Sequence, residues 1–342
     1  MKKKFIYSWF FLGFSFCLWA NDFSVVPTRE TEPVQVPKDA VDDVAVWYNE
    51  ESPEQSLLIT TNKTKGMAVY GLQGHLVSEY KKYAYNNVDL RSVFDFKKNK
   101  KVILIAANNK ETKQIDFFTL KEKKLVKLEG FLFPKVRSYG LCMLSEKKEK
   151  KSYVVVTGRR KDADLFKVWL ENGEVKHKFV KTLSVSSKNE GCVGDDETDH
   201  VYIAEEKGSI WRFAIKKKKI KKILVDSKER NSNLAADIEG LALYYTKDKK
   251  GYLLASVQGK SEFAVYNKET LEYLKSFKIE RSPTIDGVSG TDGIEIVSKN
   301  LGAEFPMGIF IAQDDSKDEF MIDSKRQNFK IVNWNDIQFS LD

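Results

Sequence analysis

The fold is read from one kind of segment that recurs along the chain: LLITTNK (57–63), VILIAANNK (102–110), YVVVTGR (153–159), VYIAEE (201–206), YLLASVQG (252–259) and GIFIAQDD (308–315). Each is a short apolar run ending in a polar cluster, the pattern of a buried strand and not of a helix. Their starts lie 45, 51, 48, 51 and 56 residues apart. A partner strand follows each, at MAVYGL (67–72), IDFFTL (115–120), LFKVWL (165–170), IWRFAI (210–215), FAVYN (263–267) and FKIVNW (329–334). A third strand precedes each pair, from DDVAVW (42–47) through NNVDLRSVF, SYGLCML, NEGCVGDDE and DIEGLALYY to DGIEIVS (292–298). A basic, variable stretch in each unit leaves room for a fourth strand.

Six units of about fifty residues predict an all-β, six-bladed β-propeller. One small sheet cannot bury both faces, whereas sheets stacked around an axis bury them against one another. No segment has helical periodicity and no linker follows Pro37, so residues 21–342 are expected to form a single domain.

The first twenty residues stand apart. Lys2, Lys3 and Lys4 precede an apolar run from Phe5 to Trp19 that ends at Ala20. This describes a secretory signal peptide over 1–20 and a secreted or periplasmic product. Cys142 and Cys192 remain after cleavage, and two cysteines do not make a disulfide framework. Two buried thiols in strands are expected. The chain's formal charge of +8 and pI near 9.0 suit a polyanionic partner, although lysine runs such as 216–219 read as solvated hairpin tips.

Aligned by the repeat, the innermost strands begin at Asp43, Asp89, Tyr139, Glu190, Glu239 and Asp292. Equivalent starts form a ring around one mouth of the channel, and five of the six carry a carboxylate. Asp42, Asp237 and Asp286 thicken the ring. Converging anions repel, so a cation is expected, and oxygen donors with almost no histidine indicate calcium over zinc or copper. The tips of the second strands add Lys63, Lys110 and Arg159 from the first three units. The last three add Glu205-Glu206, Gln258 and Asp314-Asp315. One half of the mouth is therefore cationic and the other acidic or amide, an arrangement suited to phosphate beside metal. The chain has only three histidines, none in a phosphohistidine setting. It also lacks a CX5R loop, a GxSxG elbow and a GxxxxGK[ST] loop. Metal-activated water is the chemistry left for a phosphate-handling enzyme.

The strings TTNK, NNVDLR, YGL, VTGR, NEG, YIAEE, DIEGL, YLLASVQG, TDGI, FIAQD and QNFKIVNW resemble the β-propeller phytases, in order, from Glu30 to Trp334. That resemblance implies hydrolysis of phosphate monoesters of myo-inositol hexakisphosphate in a calcium-bridged site with a cleavage and an affinity subsite. It implies phosphate binding by Lys63, Lys110, Tyr139 and Arg159, to which Arg91 of NNVDLR is added. It implies that Asp42, Asp43, Glu190, Glu205, Glu206, Asp237, Glu239, Gln258 and Asp292 hold calcium lining the site. Glu30, Asp286 and Asp314 match positions that hold structural calcium. The chain departs from the family at Val44, Thr64, Gly290 and Ser316. The expected reaction is in-line attack on phosphorus by water activated near Glu190 and Asp292. The expected partner is phytate or calcium–phytate, with no nucleic acid, no stable membrane association and a monomeric protein. The alternatives are a non-catalytic propeller binding phosphorylated ligands, and a phosphatase for other monoesters.

Overall fold

A computed structural model describes residues 22–36, 39–95, 98–146, 151–215, 220–315 and 327–341. The expected signal peptide and Ser316 lie outside them. More than half of the described residues are strand, arranged as successive antiparallel meanders in a propeller-like array. The first meander is Val41–Trp47, Leu57–Asn62, Met67–Gly71 and Leu76–Tyr80. The second is Tyr85–Asp95, Lys100–Asn109, Ile115–Lys121 and Lys124–Leu132. The third is Ser138–Glu146, Lys151–Gly158, Ala163–Glu171 and Glu174–Leu183. Asn189–Asp195, His200–Glu205, Ser209–Ala214 and Lys221–Ser227 make the fourth.

The fifth is Ile238–Tyr245, Gly251–Val257, Glu262–Asn267 and Tyr273–Ile279, with Phe23–Val25 added in parallel at its outer edge. The last has Ile294–Val297, Ile309–Asp314 and Asn328–Asn333. Its fourth strand, Arg29–Glu30, comes from near the start of the described chain. Hydrogen bonding divides these strands into five sheets. The second and third meanders share one, because their outer strands meet at Glu129 and Glu174.

Burial explains the sequence pattern. Leu57–Asn62 is buried along almost its whole length, because a neighbouring sheet covers each face. The outer strand Leu76–Tyr80 stays largely accessible and reads as mixed polar. Apolar side chains gather into clusters between successive meanders. One holds Ala45, Ile59, Tyr85 and Ile105. Others lie between the second and third meanders, the third and fourth, the fourth and fifth and the fifth and last. A further cluster closes the ring, joining Phe329 and Ile331 of the last meander to Val44 and Leu58 of the first. A short helix, Trp334–Leu341, departs from the all-strand expectation. It is held by the Trp334 indole stacked on Tyr244 at 3.8 Å.

The expectation of two thiols is corrected. Cys142 and Cys192 form a disulfide with a Cα–Cα distance of 5.6 Å. They occupy the inner strands of the third and fourth meanders, which lie side by side at the axis. The bond closes a separation of 50 residues. Crosslinks of this kind typically add about 2–4 kcal/mol by restricting the unfolded chain. The Cys142→Ser/Cys192→Ser variant should therefore melt about 4–8 °C lower, as read by calorimetry. Equal melting would show that the bond contributes nothing.

Candidate active site

The mouth of the array is a cavity of about 720 Å³, and three sets of equivalent residues build it. The innermost set comes from a repeated irregularity. In five meanders the inner strand shifts register at its start: between Val41 and Val44, Tyr85 and Val88, Ser138 and Leu141, Asn189 and Cys192, and Ile238 and Leu241. A bulge of this kind re-aims a side chain. The side chains so placed are Asp42, Asn86, Tyr139, Glu190 and Glu239, and Asp292 takes the same place in the last meander.

The residue after each ring member is glycine in four meanders, because the next meander passes too close for a side chain. A Cβ on Gly191 would lie 1.7 Å from the Glu239 carbonyl oxygen, and one on Gly293 would lie 2.6 Å from that of Asp42.

The second set follows the ends of the second strands: Lys63, Lys110, Arg159, Glu206, Gln258 and Asp315. Each donates its backbone N–H to a carbonyl of the third set, at Ala40, Ala84, Arg137, Lys188, Asp237 and Ser289 respectively. The distances run from 2.5 to 3.1 Å. Arg137, Lys188 and Asp237 of that set also line the cavity. Cations thus gather on the first to fourth meanders, from Lys63 to Lys188, and carboxylates on the fourth to first.

This register corrects the sequence reading in several places. Asp43 and Asp89 lie below the mouth, lining a second cavity of about 300 Å³ along the axis. Asp43 accepts hydrogen bonds from Asn87 Nδ2 at 3.2 Å and the Val88 N–H at 3.1 Å. Arg91 shares that channel and does not reach the mouth, because Asp89 at 2.8 Å and Asp196 at 3.1 Å hold its guanidinium. Glu205 is also turned away: its carboxylate accepts the N–H groups of Ser186 at 2.6 Å and Ser187 at 3.0 Å. Asn86, Arg137, Lys188 and Asp39 line the mouth without having been expected there. Reading the positions equivalent to Asp237 would have found Arg137 and Lys188.

Glu30, Asp286 and Asp314 do come together, as expected for structural calcium. The buried ammonium of Lys330 stands among them, 2.6 Å from Glu30, 3.5 Å from Asp314 and bonded to Asp286. That cluster already carries its own positive charge.

The mouth differs. Glu190, Glu206 and Glu239 each offer a carboxylate oxygen within 4.8 Å of the others. Asp42 Oδ2 and Glu239 Oε2 are buried without a hydrogen-bond partner. Burial drives the Glu239 carboxyl up to about 8, with Glu206 and Asp292 adding repulsion. Burial and Asp42 push Asp292 up to about 7. Glu190 is raised well above the carboxylate range, again by burial first. Orphaned oxygens in an all-oxygen donor set fit a hard divalent cation.

On the other side, burial lowers the Lys110 ammonium. Burial also raises the Tyr139 hydroxyl, as do the Glu190 and Glu239 carboxylates beside it. The Arg159 guanidinium lies 5.1 Å and the Lys188 ammonium 4.5 Å from the Tyr139 ring centre. Lys63 is engaged by Asp39 at 2.6 Å, Asp42 at 2.8 Å and Asp292 at 2.7 Å.

A family model described as Phytase matches residues 6–342. The chain belongs to the phytase family. A 3-phytase of Bacillus subtilis (strain 168) is 37% identical over 331 residues, covering 93% of this phytase and 85% of the relative. Among solved structures, a chain of a nidogen/laminin complex superposes with a TM-score of 0.48 at 7% identity. The match covers 69% of the phytase and 79% of that chain.

Proton uptake by the mouth has a consequence for this phytase. An unfolded glutamate releases its proton near 4.5, whereas Glu239 keeps it to about 8. Between those values the folded, metal-free state binds more protons than the unfolded one, so stability falls as pH rises. In EGTA the melting temperature should decline from pH 5 to 8. A flat or rising profile in EGTA would contradict the buried-carboxylate account.

Proposed function

We propose that the meanders are the blades of a six-bladed propeller whose mouth hydrolyses phytate with calcium held on its acidic side. The observation that carries this reading is the division of one ring of equivalent strand ends into Lys63, Lys110 and Arg159 against Glu206, Gln258 and Asp315, all lining one cavity. Six inter-sheet apolar clusters, the last joining the final meander to the first, support six blades. Glu190, Glu206, Glu239, Asp237, Gln258, Asp42 and Asp292 are the residues that would hold calcium. When bound, calcium would neutralise these carboxylates and supply Lewis-acid assistance to attack on phosphorus. At Glu30, Asp286 and Asp314 we assign the neutralising role to Lys330 instead.

The chain's own residues do the rest. Arg159, Lys110 and Tyr139 hold phosphate oxygens with charge-assisted hydrogen bonds, and these strengthen as charge builds on the equatorial oxygens. Tyr139 is braced by its hydrogen bond to Glu190 and keeps its proton at any working pH, so it acts as a donor. Lys63 contributes once its partners Asp42 and Asp292 are neutralised by other means. A carboxylate wall without such neutralisation would repel the substrate. This wall makes the cation a condition of binding as well as of chemistry.

We further propose that the chain is exported through its first twenty residues and acts as a single-domain monomer on phytate or calcium–phytate. No helix among the described residues is long and apolar enough to cross a membrane.

Phosphate release from phytate by purified protein tests the reading. Release should require calcium and stop in EGTA. Arg159→Ala and Lys110→Ala should each lower kcat/KM by about tenfold to a thousandfold. Glu190→Ala should cost more, since it removes a cation donor and the brace on Tyr139. Near-normal turnover in all three variants would place the reaction elsewhere.

A further inference from the structure

Lys188 touches both halves of the mouth. Its Nζ lies 2.5 Å from Glu206 Oε1 and 4.5 Å from the centre of the Tyr139 ring, over which the Arg159 guanidinium also lies. Its backbone is fixed, because the Lys188 carbonyl accepts the Glu206 N–H at 3.1 Å. Its side chain is 37% exposed and borders open cavity, so the ammonium can move while the backbone does not. Glu206 also belongs to the cluster with Glu190 and Glu239. The ammonium does not satisfy that cluster, since Glu239 Oε2 remains buried and without a partner.

We propose that Lys188 is the resident counter-ion of the Glu190–Glu206–Glu239 cluster, and that a divalent cation displaces it to become a phosphate ligand beside Tyr139 and Arg159. The inference rests on the calcium-dependent phytase reading and adds a phosphate-binding residue to it. An ammonium and a divalent cation repel each other across the few ångströms of this cluster, so they compete for Glu206. The displaced ammonium keeps its hold on the Tyr139 face, an attraction that survives at a half-exposed site. There it adds positive charge where Arg159 and Tyr139 already point. Calcium loading and substrate binding are coupled through the same lysine, and coupling of this kind is reciprocal.

Two effects of opposite sign follow from removing the charge. Calcium should bind more tightly, because its competitor is gone, while phytate should bind more weakly, because a phosphate contact is gone. A merely structural lysine would weaken both. Calorimetric titration of calcium into chelator-stripped protein without phytate, followed by kinetics at saturating calcium, separates these outcomes for wild type, Lys188→Gln and Lys188→Arg. The Gln variant should bind calcium about threefold to tenfold more tightly and show a KM for phytate raised by about the same factor, with kcat within about twofold. The Arg variant should stay close to wild type in both.

Unchanged or weaker calcium binding in Lys188→Gln, or an unchanged KM, overturns the proposal. So does an Arg variant that behaves like Gln, since charge would then not be the cause. A wild-type protein that takes up no calcium, or releases no phosphate from phytate, overturns the parent reading and this one together. A wild type that does both, alongside an indistinguishable Gln variant, overturns this one alone.

Discussion

Everything at the mouth depends on one electrostatic constraint: carboxylates brought to the axis by the fold cannot stay charged there without positive partners. Asp42, Glu190 and Glu239 are at most 8% exposed, and an unpaired charge in such surroundings costs several kcal/mol. The metal-free protein answers in two ways. Glu190, Glu239 and Asp292 hold protons beyond their ordinary range. Lysines also enter the clusters: Lys63 among Asp39, Asp42 and Asp292, Lys188 on Glu206, and Lys330 among Glu30, Asp286 and Asp314. Only the last of these is sealed, since Lys330 is 1% exposed. The other two open on the cavity.

The backbone is what makes the crowding unavoidable. Five inner strands carry the same register shift, and it aims the ring side chains into the mouth. Glycines press adjacent meanders together directly behind them, with the Gly191 Cα against the Glu239 carbonyl. The Cys142–Cys192 bond ties two of those inner strands. The ring therefore cannot expand to relieve its repulsion. Rigid neighbours turn a local charge conflict into a binding potential for cations.

The strands were legible in the sequence because sheets buried on both faces demand unbroken apolar runs, and every second strand from Leu57–Asn62 to Ile309–Asp314 obeys. The mouth was legible as a division of charge, since Lys63, Lys110 and Arg159 mark strand ends by position alone. Its register was less so. Reading Asp43 as a ring member follows from counting along a regular strand, but a bulge inserts one residue and exchanges the faces. Asp42 thereby gains the mouth. The same single-residue difference separates Glu206 from Glu205. In the second meander the ring place falls to Asn86, three residues before Asp89. Arg91 looked like a phosphate ligand because its partner Asp196 belongs to the fourth meander, and no local pattern brings them together. The disulfide is hidden for the same reason, since it depends on two inner strands lying side by side.

The asymmetry of the mouth is a question of individual residues on a repeating backbone. Arg137, Lys188 and Asp237 occupy equivalent positions, each offering a carbonyl to the next strand end, yet the sign of charge changes between Lys188 and Asp237. The change from a cationic to an acidic half therefore falls within the fourth meander and needs no change in the chain's path. On the fourth meander the two halves overlap: Glu190 and Glu206 belong to the acidic cluster, while Lys188 reaches the Tyr139 ring. Opposite charges held this close partly cancel in the absence of ligand, which keeps a cavity of such charge density stable enough to fold. On the proposed reading, a cation and a phosphate arriving together would take over each other's compensation, which is why both ligands would belong in one mouth and not in two separate sites.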